Sequence, residues 1–144
     1  MIGIIVTGHG NFATGITSAL ETIMGKQEQY INVDFPREDT ATELKENIAK
    51  AIDKLKSCDN IIVFADLLSG SPFNTAIMKA MEDERIKVIY GVNLGMLVEA
   101  VMNRNKGIDF NEIIKNAVET GKSQVGLFDA KNIAKSEPKN DNEL

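Results

Sequence analysis

The sequence predicts an α/β fold: a doubly wound, four-stranded parallel sheet in the order 2-1-3-4, flanked by helices. The first observation is that short β-branched apolar runs alternate along the chain with longer segments whose apolar residues recur every three or four positions. The second is that these short runs are apolar throughout, as strands buried on both faces are. Right-handed crossovers between such strands place helices on both faces of a parallel sheet.

The strands are predicted from four apolar runs. Ile2–Thr7 ends at a glycine and is the most continuous, Asn60–Ala65 repeats its pattern, and Ile86–Tyr90 is shorter. Tyr30–Phe35 alternates apolar and polar residues and is expected nearer an edge. A last run, Gln124–Phe128, follows two helices and is expected to be a final strand.

The helices are predicted from periodicity and from their start signals. Phe12–Met24 carries an apolar stripe and ends before a glycine. Thr40 and Glu43 have the spacing of a capping box. The remaining starts are Ser71 as N-cap before Pro72, Asn93 for a helix through Met102, and Asp109 for a helix through Thr120. We expect the helix that begins at Ser71 to turn Ile77, Ala80 and Met81 inward.

Length and composition restrict the classes of protein. The 144 residues, 43% of them hydrophobic, suit one folded domain, expected over residues 1–130, followed by a polar tail, 131–144, expected to be disordered. One Cys cannot form an intrachain disulfide, and one His with one Cys cannot supply a usual zinc site, so no metal and no cofactor is expected.

Charge and hydropathy indicate where the protein acts. A net charge of -5 without a basic cluster gives no surface that attracts nucleic acid. No apolar run approaches the roughly 20 residues that span a bilayer, and no basic leader precedes the first strand. We therefore expect a cytoplasmic protein without direct membrane insertion.

Two loops are predicted to meet at one edge of the sheet. In open parallel sheets, ligands bind beyond the carboxyl ends of the strands, where the strand order reverses. In the order 2-1-3-4 that point lies between the first and third strands. The first strand is followed by a loop with the only histidine, His9, between Gly8 and Gly10, and the third by a loop that begins at Asp66.

This pair of loops has the residues for a phosphoryl group on a histidine. Asp66 could accept a hydrogen bond from one ring nitrogen of His9, which would fix the tautomer and leave the other nitrogen as a nucleophile. Ser69, Gly70 and Ser71 precede or begin the next helix and offer N–H groups and hydroxyls to anionic oxygens. Each residue also has a simpler interpretation as a turn or helix-start residue.

Two other classes fit parts of the pattern. Gly8, Gly10 and Ala13 match the dinucleotide fingerprint G-x-G-x-x-G/A, and Asp34 ends the second strand, where an acidic residue binds ribose, although the chain leaves little room for a second half. A phospho-aspartate receiver-like switch would use Asp66 as its acceptor. That class needs acidic residues after the first strand to hold magnesium, and this loop has none.

Three motifs together resemble a known family. Gly8-His9-Gly10, the segment Asp66–Asn74 and the segment Gly91–Leu97 resemble the enzyme IIA domain of mannose-type (mannose/fructose/sorbose) phosphoenolpyruvate-dependent sugar phosphotransferase systems. The resemblance covers about residues 1–130. It implies a phosphotransferase component in which His9 accepts a phosphoryl group from the phosphocarrier HPr and passes it to a histidine of enzyme IIB during sugar uptake.

The resemblance also implies roles for neighbouring residues and an assembly. Asp66 would orient His9, and Ser71 with the nearby N–H groups would hold the phosphoryl oxygens. It further implies a homodimer in which the last strand crosses to the partner subunit and pairs antiparallel with its sheet, so that Gln124–Phe128 would be a C-terminal antiparallel strand. Ser69 and Gly95 depart from the family's usual Gly and Pro, and the sugar stays open because the carrier does not touch it.

Overall fold

The computed structural model of the protein describes residues 1–131. Its elements are β1 (Ile2–His9), α1 (Phe12–Met24), β2 (Tyr30–Phe35), α2 (Ala41–Lys54), β3 (Asn60–Ala65), α3 (Ser71–Glu82), β4 (Ile86–Ile89), α4 (Leu94–Asn105) and α5 (Phe110–Ser123). The four strands form one parallel sheet in the order β2-β1-β3-β4. The predicted fold class and strand order are confirmed.

Alternate residues of the central strands face two separate cores, because successive side chains of a strand point to opposite faces. One core lies under α1, α4 and α5, and the other lies under α2 and α3. Ile4 and Val6 of β1 belong to the first core, and Ile5 belongs to the second. This burial on both faces explains why β1 and β3 are apolar throughout.

The register of the strands determines what lies beside His9. His9, the last residue of β1, pairs with Phe35 of β2, and Gly8 pairs with Asp34. On the other side, Thr7 pairs with Ala65, the last residue of β3, so Asp66 follows directly beside this end of β1. The carboxyl ends of β1, β2 and β3 therefore meet at one edge.

Three of the helices begin at residues that cap them locally. Thr40 and Glu43 form the predicted capping box of α2, Asn93 accepts a hydrogen bond from the Met96 N–H at α4, and Asp109 accepts one from the Asn111 N–H at α5. The predicted N-cap of α3 is wrong by one residue. Ser71 is the first helical residue and Gly70 is the N-cap, because Gly70 adopts φ +99°, which only glycine tolerates well.

Three other predictions need comment. Among residues 1–131, the run Gln124–Phe128 forms no strand, and the side chains of Val125, Leu127 and Phe128 are exposed after α5. A strand needs a neighbour to pair with, so the exchange between subunits stays a prediction.

Met81 is 82% exposed rather than turned inward, because it lies on the outer face of α3. The expected disordered tail lies, apart from Lys131, outside the described residues.

Within residues 1–131, no helix has both the length and the apolar character that crossing a membrane requires.

Candidate functional site

His9 is at the exposed end of β1. Its side chain keeps 46% of its accessible surface, although most of the strand before it is buried. Gly10 follows with φ +57°, a left-handed conformation that lets the chain leave the sheet and enter α1 two residues later. Both backbone bonds between Gly10 and Phe35, at 2.8 and 3.1 Å, fasten this turn to β2. The histidine is thus exposed on a rigid backbone.

Asp66 holds the ring of His9 from the neighbouring strand. Its Oδ2 lies 2.8 Å from Nδ1 of His9 and also accepts the backbone N–H of His9 at 2.9 Å, while Oδ1 accepts the N–H of Leu67 at 2.9 Å. The carboxylate is 89% buried, since its side chain keeps only 11% of its surface. An ionised carboxylate only accepts hydrogen bonds, so in the neutral ring Nδ1 carries the proton and Nε2 keeps its lone pair.

Gly8 is required for this contact. A Cβ at position 8 would lie 3.0 Å from both Cβ and Cγ of Asp66 and 2.6 Å from Cδ1 of Phe12. Any side chain there would push the carboxylate away from the ring. The glycine before His9 therefore allows Asp66 to approach, and the glycine after it allows the turn.

The Nε2 side of the ring faces the start of α3. A Cβ built on Gly70 would lie 2.8 Å from Cε1 and 2.9 Å from Nε2 of His9. Gly70 provides no side-chain cap, and Pro72 has no N–H, so the N–H groups of Ser71 and Phe73 have no acceptor within the helix. An anionic group on Nε2 would meet these donors and the positive end of the helix dipole.

The predicted site residues are brought together to different degrees. Asp66 is bonded to His9, Gly70 lies beside the His9 ring, and Ser71 follows Gly70 at the start of α3. The side chains of Ser69 and Ser71 form no hydrogen bond within residues 1–131, and Ser69 is exposed. The sequence does not predict that Gly70 lies beside the His9 ring. A glycine directly before a helix is the only local signal of this close approach.

Asp34 is engaged elsewhere. Its carboxylate accepts the backbone N–H of Thr14 at 2.9 Å and the hydroxyl of Thr14. The dinucleotide interpretation requires this carboxylate to reach a ribose, and here it closes the first turn of α1 instead. Across the described part of the chain, no group of three His, Cys, Asp or Glu side chains is arranged to hold a metal ion.

Fold and site together define a class of small α/β domains that present one carboxylate-bound histidine at the carboxyl edge of a parallel sheet. The family model described as "PTS system fructose IIA component" matches residues 3–118. The chain therefore belongs to the mannose-type enzyme IIA family of the sugar phosphotransferase system. Components of this family are phosphotransferases with phosphohistidine intermediates.

Individual relatives agree with this assignment. The chain is 34% identical over 137 residues to the mannose-specific EIIAB component of Escherichia coli (strain K12), covering 95% of this chain and 42% of that protein. It therefore spans less than half the length of this relative. It is 30% identical over 102 residues to the sorbose-specific EIIA component of Lacticaseibacillus casei, covering 71% and 73% of the two chains.

A solved structure agrees with the family assignment as well. The phosphotransferase system component EIIA from Streptococcus agalactiae superposes with a TM-score of 0.80 at 31% identity, covering 88% of this chain and 96% of that one.

Proposed function

We propose that this protein is a phosphoryl carrier in which His9 accepts phosphate from phospho-HPr and passes it to a histidine of enzyme IIB during sugar uptake. One observation carries the proposal. Nδ1 of His9 is bound to Asp66 at 2.8 Å, while Nε2 is free beside the uncapped start of α3. Family membership supports the same reaction class.

The transfer is a substitution at phosphorus. The lone pair of Nε2 attacks the phosphorus of the donor phosphohistidine, the donor N–P bond breaks, and the donor nitrogen leaves with the electron pair. The proton stays on Nδ1 of His9, and Asp66 stabilises the positive charge that develops on the ring. The reverse set of bond changes delivers the group to enzyme IIB. Because the two imidazoles are nearly equivalent, the protein contributes mainly positioning and charge stabilisation.

The oxygens of the transferred group are held at the start of α3 in this proposal. The N–H groups of Ser71 and Phe73 point toward the helix N-terminus, and the hydroxyls of Ser69 and Ser71 are available as donors. No metal or nucleotide takes part in these steps.

Partner proteins would dock around the exposed His9. Leu67 and Leu68 follow Asp66 directly and keep 56% and 58% of their surface. Exposed leucines beside a functional histidine are suited to a transient apolar contact, and the chain's net charge of -5 suits a basic partner such as HPr. In this proposal, both the docking and the transfer take place in the cytoplasm.

The C-terminal run supports a homodimer. Val125, Leu127 and Phe128 are exposed in the single chain. A cavity of about 400 Å³ borders the free edge of β4, and its lining includes Val88, Tyr90 and Val118. In the proposed dimer, Gln124–Phe128 pairs with the partner subunit's sheet. Sedimentation of the natural protein and of Leu127→Asp tests this: a dimer that becomes a monomer is expected, and a natural protein that sediments as a monomer contradicts it.

The carrier function is tested by phosphorylation in vitro. Tag-free protein is incubated with phosphoenolpyruvate, enzyme I and HPr, and its intact mass is measured before and after acid treatment. We expect one acid-labile phosphoryl group, which enzyme IIB removes and which His9→Ala does not acquire. Persistent phosphate in His9→Ala, or none in the natural protein, would contradict the proposal. Tight binding of a nicotinamide cofactor would favour the dinucleotide alternative instead.

A further inference from the structure

The two helices whose starts border His9 differ from the other three described helices. The helices α2, α4 and α5 each have an N-cap residue whose side chain accepts a backbone N–H. The N-cap residues of α1 and α3, Asn11 and Gly70, form no such bond. The start of α3 faces Nε2 of His9, where a phosphoryl group would be bound. The start of α1 is not left free, because a residue from β2 closes it.

That residue is Asp34, twenty positions after Thr14. Its Oδ1 accepts the N–H of Thr14 at 2.9 Å, and its Oδ2 accepts the Thr14 hydroxyl. The same hydroxyl oxygen accepts a bond from Nδ2 of Asn32 at 3.0 Å. The third residue of α1 is thus bonded to two alternate residues of β2. A carboxylate at this position also interacts favourably with the positive end of the helix dipole.

The position of α1 affects His9 because the connection is short. Only Gly10 and Asn11 separate His9 from the first residue of α1. Gly10 is itself paired with Phe35, the neighbour of Asp34 on β2. The segment that carries His9 is therefore held on one side by Asp66, and on the other by two consecutive residues of β2.

We propose that Asp34 is a positioning residue of phosphoryl transfer: through Thr14 it fixes the start of α1 and with it the backbone that carries His9. This inference rests on the proposed function of His9. Asp34 does not touch the reacting atoms. Displacing a reacting group by about 1 Å can lower a rate by about a hundredfold, so a smaller loosening of this turn should lower it by about tenfold.

The test compares three variants. Asp34→Ala removes both acceptors, whereas Asp34→Asn keeps an oxygen that can accept the Thr14 N–H. Asp109→Ala is the matched control, because Asp109 caps α5 by accepting the Asn111 N–H at 3.1 Å. That helix begins at the opposite edge of the sheet from His9, since α4 runs away from the site before α5 returns. Asp34→Ala and Asp109→Ala should lower Tm comparably.

Two phosphoryl donors are used. Phospho-HPr gives kcat and KM, and phosphoramidate, a small donor that phosphorylates histidine without a partner protein, gives a rate that does not depend on docking. We expect Asp34→Ala to be about tenfold slower with both donors, with KM for phospho-HPr changed less than about twofold. Asp34→Asn should recover most of the rate, and Asp109→Ala should match the natural protein.

The outcomes separate this inference from the carrier function. Rates of Asp34→Ala within about twofold of the natural protein, or equal slowing by Asp109→Ala, would overturn the positioning role. If the natural protein reacts with phosphoramidate and not with phospho-HPr, the carrier function fails while the phosphoramidate rates still decide on Asp34. Should Asp34→Ala not fold, Thr14→Val removes the hydroxyl that bonds Asp34 and Asn32 and keeps the N–H bond to Asp34. This variant is expected to give a smaller slowing, and an unchanged rate would contradict the inference.

Discussion

Replacing Gly70 by Ala tests whether the space beside Nε2 of His9 is the place of phosphorylation. The new Cβ would lie 2.8 Å from Cε1 and 2.9 Å from Nε2. It would fill the space that the attacking nitrogen needs, without removing any polar group. Gly70 also has φ +99°, so alanine there is strained as well.

The expected size of the effect follows from the geometry. Carbon atoms in contact prefer about 3.5 Å or more, so the contact with Cε1 is short by about 0.7 Å, and the ring or the loop must move by about that distance. A displacement approaching 1 Å lowers transfer by about a hundredfold. The backbone strain lowers the free energy of unfolding by about 1–3 kcal/mol.

The assay separates these two effects with a matched control. Gly107, in the turn between α4 and α5, has φ +75°, and a Cβ there would meet nothing within 4 Å. Gly107→Ala should therefore lose stability and keep its rate, whereas Gly70→Ala should lose both. Stability is measured by urea unfolding, and rate by the appearance of phosphoprotein in rapid-quench samples with phospho-HPr. A Gly70→Ala protein that is phosphorylated at the natural rate would refute the assignment of Nε2 as the acceptor.

Four further predictions follow from the same contacts. Asp66→Asn should keep the fold by circular dichroism and slow transfer by about 10²- to 10⁴-fold, because the amide no longer fixes the Nδ1–H tautomer; an unchanged rate would remove its role. Leu67→Ser with Leu68→Ser should raise KM for phospho-HPr with kcat unchanged, and an unchanged KM would exclude these leucines from docking. Burial raises the pKa of Tyr30 to about 12. Below its ordinary pKa of about 10, Tyr30 is protonated in both the folded and the unfolded chain, so the shift leaves the free energy of unfolding unchanged. As the pH rises from there toward 12, the unfolded chain loses this proton before the folded protein does, so the free energy of unfolding falls over that range. When the free energy of unfolding in urea is measured over this pH range, Tyr30→Phe should not show the fall. A fall as steep as that of the natural protein would contradict the raised pKa of Tyr30. Arg104 is buried and donates to the carbonyls of Ile2 and Gln29, so Arg104→Leu should lower the free energy of unfolding by about 2 kcal/mol or more; no loss would show that these bonds contribute little.

The sheet could be predicted from sequence because its signals are local. Each central strand is apolar throughout, since both of its faces are covered, and the helices between them have a regular apolar stripe. The strand order alone then predicts that the loop of His9 lies next to Asp66, before any side-chain position is known. The contact between these two residues is what that topology anticipates.

Other features depend on contacts that no local pattern encodes. Asp34 closes α1 from a different strand, and nothing in the residues around Thr14 signals this. Ser71-Pro72 predicts a cap at Ser71, but Gly70, with φ +99°, is the N-cap, and the helix starts one residue earlier. The run Gln124–Phe128 has the composition of a strand, but within residues 1–131 it pairs with no other strand, and its pairing with a partner subunit stays a prediction.

The most direct test of the central claim is to identify which ring nitrogen of His9 carries phosphorus. The chain has one histidine, so protein labelled with ¹⁵N in its imidazole and then phosphorylated gives a single ring to observe by NMR. The contact of Nδ1 with Asp66 predicts ³¹P–¹⁵N coupling at Nε2, with Nδ1 still protonated. Coupling at Nδ1, or phosphorus on a residue other than His9, would contradict the account.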